Sequence, residues 1–332
     1  MAPIKSSLAK SAKQLLGFFN TADLGLRGAT QITRHVVPPF EASGGNLANG
    51  LEPGNGYKYH TFGTNGDFVV SGPPGTVDIL IVAGGGAGGN NRGGGGGAGG
   101  IVHHSQLLVT TGTHPVVVGD GEAQPGTGSQ RGADGTDSYF GAAGSTRLTA
   151  KGGGGGGCNS SPFEPGNPGG SGGGANYNGN PGPASQGSQN TPYQGNTGFN
   201  QYGNNGGDGS GGAKYNNGGG GGAGGVGEDG TQPSTGAGDG GNGQPFSNFT
   251  GPLIGVPALN PLSGLYGGGG GASVGSENGW NPPIAPAGPG GPGGGGTGGG
   301  AGSGDEGAAG VQYSGGGGGG GHRSPESTTT II

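Results

Sequence analysis

Cysteine is nearly missing from this chain: Cys158 is the only one in 332 residues. A single thiol excludes an intrachain disulfide and any metal site built from several cysteines. Charge is scarce too, at 9% of residues against about 25% in an average soluble domain. The 12 Lys and Arg are outnumbered by 18 Asp and Glu, which leaves no basic surface for a phosphate backbone, so no nucleic-acid ligand is expected. Only Arg92, Arg131 and Arg323 lie in or beside glycine-rich sequence, too few for a repeated Arg-Gly RNA-binding segment. Long apolar runs are absent. The longest, residues 79–83, falls far short of the ~18 residues that cross a membrane, so no membrane insertion is expected. Residues 1–19 lack a continuous apolar stretch and a small-residue cleavage site, so no export signal is read there.

Catalytic signatures are equally sparse. Residues 84–89 follow a strand, as a dinucleotide fingerprint would, but Asn90, Asn91 and Arg92 lead into more glycine and cannot open the required helix. His103 and His104 are adjacent on a strand and point to opposite faces, which argues against a shared metal with His114. Residues 132–135 suit a turn in which Asp134 bonds its own backbone, with calcium held by Asp134 and Asp137 as the alternative. No enzyme and no cofactor are expected.

What is present is glycine, 101 residues of it, in runs such as 152–157, 218–222 and 315–321. Glycine has no side chain to bury and loses the most backbone freedom on ordering, about 0.5–1 kcal/mol more than alanine per position. Apolar residues make up only 27%, too few for two ordinary cores. Such a segment either stays a flexible linker or orders through its backbone. Collagen is excluded because residues 293–296 break the every-third-residue phase. The ordered alternative is a bundle of polyproline-II-like strands, with three residues per turn and no bonds inside a strand. Glycine lets such neighbours approach until N–H and Cα–H groups meet adjacent carbonyls.

Three zones result: an N-terminal segment 1–50, a β domain 51–150 and a glycine-rich module 151–332. In the first, Leu8, Ala12 and Leu15 fall at helical spacing before Gly17, which predicts a short amphipathic helix, marginal unless it docks. Lys5, Lys10, Lys13, Arg27 and Arg34 face Asp23 alone up to residue 34. In the second zone, Tyr57 to Phe62 alternate aromatic and polar residues, and residues 63–66 form a turn into 67–70, which predicts a hairpin. Residues 77–83 read as a buried strand. Further strand signals at 101–104, 106–109, 114–118, 138–140 and 147–150 imply a β-sandwich. The third zone sets Tyr177, Tyr193, Phe199, Tyr202, Tyr215 and Trp280 amid Asn, Gln, Gly and Pro. These aromatics either pack over bundle ends and between subunits or stack on sugars at a host surface.

Tyr59 to Ser71, Thr76 to Gly89, residues 93–100, Val116 to Gly119, Asp134 to Gly141 and Ala150 to Gly154 resemble, in order, the glycine-rich domain of bacteriophage tail-fibre and other virion proteins, notably of marine phages. The resemblance covers about residues 57–175 in register and the remainder by composition. It implies an all-β fold: a β-sandwich followed by a polyglycine-II helix bundle, similar to those of phage adhesins, with a short N-terminal helical or extended anchor. It also implies a non-enzymatic virion structural protein on the tail or capsid surface, a tail-fibre tip or adhesin attaching to a host glycan or outer-membrane protein. The alternative is a capsid decoration or head-appendage protein. Other virion proteins would take the N-terminus through Leu8, Leu15, Leu16, Phe18, Phe19, Leu24, Leu26 and Arg27, the last three lying in a stretch that resembles a short leader of such proteins. Trimers are the oligomer that the fibre resemblance implies.

Overall fold

A computed structural model describes residues 39–125, 128–144, 147–160, 165–177, 199–209, 216–230, 236–274, 286–300 and 306–322. The chain divides into two units, Met1–Pro38 and Pro39–Ile332. The expected N-terminal helix and all the anchor residues lie outside the described residues.

The second unit is mainly β, with few and short helices. Its strands are β1 (Ala42–Ser43), β2 (Ala48–Leu51), β3 (Tyr59–Thr61), β4 (Gly66–Val70), β5 (Gly75–Val82), β6 (Ile101–Val109), β7 (Gly112–Val117), β8 (Ser138–Phe140), β9 (Leu148–Ala150), β10 (Asn200–Tyr202), β11 (Gln244–Pro245) and β12 (Leu265–Tyr266). Two sheets dominate, a five-stranded one in the order β1-β4-β7-β8-β9 and a three-stranded one in the order β10-β6-β5. Phe68, Val70, Phe140, Leu148 and Ala150 of the first share one core with Ile81, Val102, Leu107 and Val109 of the second. The branched and aromatic residues of the second zone therefore make up a core to which both sheets contribute.

A bulge makes β6 serve two cores. Ile101 packs with Phe246, Ile254, Val256, Leu259 and Tyr266, while Val102 turns to the inter-sheet core. Strict alternation would then send Leu107 and Val109 to the Ile101 side. Ser105 and Gln106 instead oppose Asp78 alone, because Ile79 pairs with His104 and Val77 with Leu107. That extra residue inverts the phase and returns Leu107 and Val109 to the core they share with Val102. The Gln106 N–H donates to His104 Nδ1 at 3.0 Å within the bulge. Two strand signals read separately in the sequence are thus one strand with a kink.

The expected hairpin of 57–62 with 67–70 does not form. β3 pairs with β2, and β4 lies between β1 and β7. Asn46 explains the separation: its Oδ1 accepts the N–H groups of Gly63 and Thr64 at 2.8 and 3.2 Å, and its Nδ2 donates to the Thr64 carbonyl at 2.9 Å. The turn is clamped from outside, and its two arms enter different sheets.

The expected boundaries near residues 50 and 150 are not boundaries of packing. Ala42 and Ser43 pair with Val70 and Val69, so the chain joins the five-stranded sheet well before residue 50. β10 comes from the glycine-rich zone and pairs with β6. In the other direction, residues 83–100 belong to the glycine array described next.

Candidate functional site

Residues 93–100 are fully enclosed, yet almost side-chain-free. Their backbone hydrogen bonds follow a period of three. Gly94 and Gly97 donate to the carbonyls of Gly157 and Gly154, Gly95 and Ala98 to Gly218 and Gly221, and Gly96 and Gly99 to Gly318 and Gly315, at 2.8–3.1 Å. Their carbonyls repeat the pattern. Gly94 and Gly97 accept from Gly89 and Gly86, Gly95 and Ala98 from Gly174 and Ser171, and Gly93 and Gly96 from Ser273 and Gly270. One segment is therefore bonded to six others, three through its donors and three through its acceptors. Pair indices rise together only with residues 218–221, so that neighbour is parallel and the other five are antiparallel.

The same repeat governs the neighbours. Gly218 and Gly221 donate to Ala175 and Gly172, Gly220 and Ala223 to Gly270 and Gly267, and Gly219 and Gly222 to Glu228 and Gly225. Donors thus return to the same partner every third residue, a repeat that differs from the period of two in a sheet. Buried peptide groups are satisfied this way without a ladder of the kind a sheet uses.

The spacing leaves no room for a methyl group at most of these positions. A Cβ added to Gly95 would lie 1.9 Å from the Gly270 carbonyl oxygen, and one on Gly96 would lie 2.1 Å from that of Gly86. The hydrogen that occupies this place on glycine points at a carbonyl, so Cα–H···O contacts accompany the N–H bonds.

Where the array meets side chains, polar groups complete it. Gly152 and Gly155 donate to the Oδ1 atoms of Asp137 and Asp134 at 2.9 and 2.8 Å, three residues apart, as if those carboxylates were carbonyls of a further segment. Asp134 also accepts from Asn167 Nδ2 at 2.7 Å, and Asp137 pairs with Lys151 at 2.7 Å. These bonds replace the self-bonded turn expected for Asp134. Asn217, fully buried, donates to the Ser273 carbonyl at 2.6 Å and accepts the Tyr177 N–H at 3.0 Å. Asn204 donates to the Gly222 and Ala223 carbonyls at 2.8 and 3.1 Å. These Asp and Asn roles were missed in the sequence. For Asn204 and Asn217 the available signal was their place near glycine pairs or runs; for Asp134 and Asp137 it was their spacing of three residues.

The aromatic candidates divide. Tyr193, Tyr215 and Trp280 lie outside the described residues. Tyr177 is only 8% exposed, with Arg92 stacked 5.8 Å from its ring and its hydroxyl donating to Asn159 Oδ1 at 3.3 Å. Half-buried Phe199 tilts against His104 at 4.8 Å, and Tyr202 meets Phe246 edge-on at 5.5 Å. His103, on the opposite side of β6 from His104, bonds Asp78 at 2.9 Å and packs on Phe246 and Phe249. Burial pushes the Tyr266 hydroxyl above its usual range. Among the described residues no group of three or more His, Cys, Asp or Glu is placed to hold a metal ion, and no helix is long and apolar enough to cross a membrane.

One polar corner of the array works against folding. Asp208 is raised above its ordinary pKa by partial burial and by the charge of Asp229, whose Oδ1 accepts the Asp208 N–H at 2.7 Å; burial also raises Asp239. A carboxyl with a folded-state pKa above its unfolded value costs stability where it is ionised, and the cost vanishes as pH falls through the folded value to below the unfolded one. Asp208→Asn should therefore melt slightly higher than the wild type near pH 7, with no advantage near pH 3, where the native carboxyl is protonated in both states. Melting curves at the two pH values check this; an advantage that persists at low pH would exclude the electrostatic cause.

A side-chain-poor array of mutually bonded backbones, flanked by two conventional cores, defines a glycine-rich domain. The family model of the glycine-rich domain matches residues 61–330, and the chain belongs to that family. No curated protein and no solved structure matches it.

Proposed function

We propose that this chain is a bacteriophage virion structural protein, a tail-fibre tip or adhesin that carries host-attachment surfaces on a rigid glycine scaffold. On this reading the two sheets form a β-sandwich, and the array is a polyglycine-II bundle of the kind found in phage adhesins. The supporting observation is the period-three bonding of residues 94–99 to six neighbouring segments, added to the resemblance in residues 57–175. Such a scaffold holds long inserts without needing side chains from them. Tyr193, Tyr215 and Trp280 fall in inserts between glycine runs and are the proposed contacts with a host glycan or outer-membrane protein. Residues 1–38, with the anchor set Leu8 to Arg27, attach the chain to other virion proteins, and trimers are the proposed assembly.

The packing of Tyr177, Phe199 and Tyr202 against their own chain favours a second reading, a capsid decoration or head-appendage protein that covers and does not grip. Gold-labelled antibody to the chain, applied to intact particles, separates the two. Label at the tail together with blocked adsorption by the purified protein supports attachment. Label over the capsid with unaffected adsorption refutes it in favour of decoration.

A further inference from the structure

The three-stranded sheet ends in β5, and this edge is open. β5 pairs with β6 along one side, and among the described residues no strand lies on the other; the Val82 carbonyl at its far end accepts the Ser138 hydroxyl at 2.8 Å. Native edges of this length are usually blunted by proline, by charge or by a cover. Thr76 to Val82 contains no proline, and its one charge, Asp78, is paired with His103. Thr76 at its start is exposed, and Val77 to Val82 are partly or fully buried. The open edge forms one wall of a cavity of about 1420 Å³, larger than the roughly 300–1,000 Å³ typical of small-molecule pockets.

The rim of that cavity gathers much of the apolar surface left uncovered among the described residues. Phe40, Leu47, Tyr57, Val311 and Tyr313 are all exposed large hydrophobic residues, and all line it. Its charge is one-sided. Glu41, Asp120 and Glu122 line the cavity, are exposed, and make no ion pair among the described residues; Lys58, the one lysine or arginine among the described lining residues, is paired with Glu52 at 2.8 Å and also interacts electrostatically with Glu41. An apolar slot with a strand edge in its wall and acidic groups at its mouth specifies its ligand by hydrogen bonding, hydrophobicity and charge together.

We propose that this groove binds an extended, cationic apolar segment of another polypeptide, which adds to β5 as a fourth strand. Main-chain bonds to the β5 edge supply affinity, as in other strand-addition complexes, and alternate side chains fill the apolar slot. Lysine or arginine at the ends of the segment meets Glu41, Asp120 and Glu122. The inference stands on the groove alone and is independent of the virion assignment.

The test uses the full chain and three labelled eight-residue peptides, alternating Val and Thr: one with Lys at both ends, one with Glu at both ends, and the Lys peptide with all its internal amides N-methylated, so that neither edge can donate. Fluorescence anisotropy at low salt should show the Lys peptide binding at least about tenfold tighter than the Glu peptide, with the gap narrowing as salt screens the rim. N-methylation should abolish binding, because it removes strand-edge donors while keeping charge and apolarity. The double variant Asp120→Lys, Glu122→Lys changes two exposed side chains and should reverse the charge preference. Absence of saturable binding, equal binding of the N-methylated peptide, or an unchanged preference in the double variant would each overturn the proposal. So would salt-sensitive self-association of the chain that the Lys peptide fails to compete away, since the occupant would then be a second copy.

Discussion

Replacing Gly95 by alanine should cost about 4 kcal/mol or more, an effect at the far end of single substitutions and large for the addition of one methyl group. The added Cβ would stand 1.9 Å from the Gly270 carbonyl oxygen and 2.8 Å from the Gly220 nitrogen, where 3.0 Å is already closer than real Cβ atoms come. In an ordinary core an overpacked methyl is relieved by rotating a neighbouring side chain, at about 1–3 kcal/mol. Here every neighbour is backbone and nothing can rotate. The segments holding Gly220 and Gly270 would have to separate, and the Gly270-to-Gly96 and Gly220-to-Gly270 bonds, at 2.9 and 2.8 Å, would stretch with them. The matched control is Gly121→Ala, where the nearest heavy atom would be the Gly85 oxygen at 3.5 Å and the residue is exposed. That change should stay within about 0.5 kcal/mol. Urea denaturation of the two variants reads the difference directly. Equal tolerance would mean that residues 93–100 are not enclosed as described.

Phe246→Ala should produce the next largest loss, about 3–5 kcal/mol for an aromatic ring removed from a closed core. Phe246 is 7% exposed and stands where Tyr202, Tyr266 and His103 meet, with ring centroids 5.5, 6.2 and 5.3 Å away. It joins the segment 244–266 to the outer side of the three-stranded sheet. This core contains the short helix Gly251–Ile254, which Thr61 of β3 caps by donating its hydroxyl to the Ile254 carbonyl at 2.8 Å. Loosening it should also let water reach Tyr266. The spectrophotometric titration of that hydroxyl should then move down toward the ordinary tyrosine range, because burial is the cause of its elevation. An unchanged titration with a small stability loss would show that the core closes over the gap.

The two kinds of core explain which parts of this fold could be read in advance. Strands with side-chain patterns were legible: the signals at residues 67–70, 77–83, 101–104, 106–109, 114–118, 138–140 and 147–150 carry β-branched or aromatic residues, and strands lie at or within a residue of them. Their partners were less so. Nothing in Gly63 to Gly66 distinguishes a free hairpin turn from one clamped by Asn46, which sits far enough upstream to escape any local rule. The bulge in β6 was visible only as an interruption at Ser105. β10 was missed because Asn200, Gln201 and Tyr202 have no alternation; the strand exists because β6 offers an edge there.

For the array, composition pointed to backbone bonding as an ordered alternative to a linker, since glycine offers no other means of cohesion. Its register could not be read. Glycine repeats carry no side-chain phase, so which run lies beside which is decided by the inserts between them and by a few polar anchors such as Asp134, Asp137 and Asn217. This also explains why residues 83–100, flanked by strands of the β zone, belong physically with the distant runs at 152–157, 218–223, 268–273 and 315–321.

The most direct test of the account is amide hydrogen exchange, resolved by residue, at Gly94 to Gly99. If these six amides are bonded in turn to three other segments, they can exchange only when the whole array opens, and they should be among the slowest in the protein, matching Leu107 and Val109 of the side-chain core. Exchange of the same amides at the rate of an unstructured glycine chain, while Leu107 and Val109 stay protected, would contradict it.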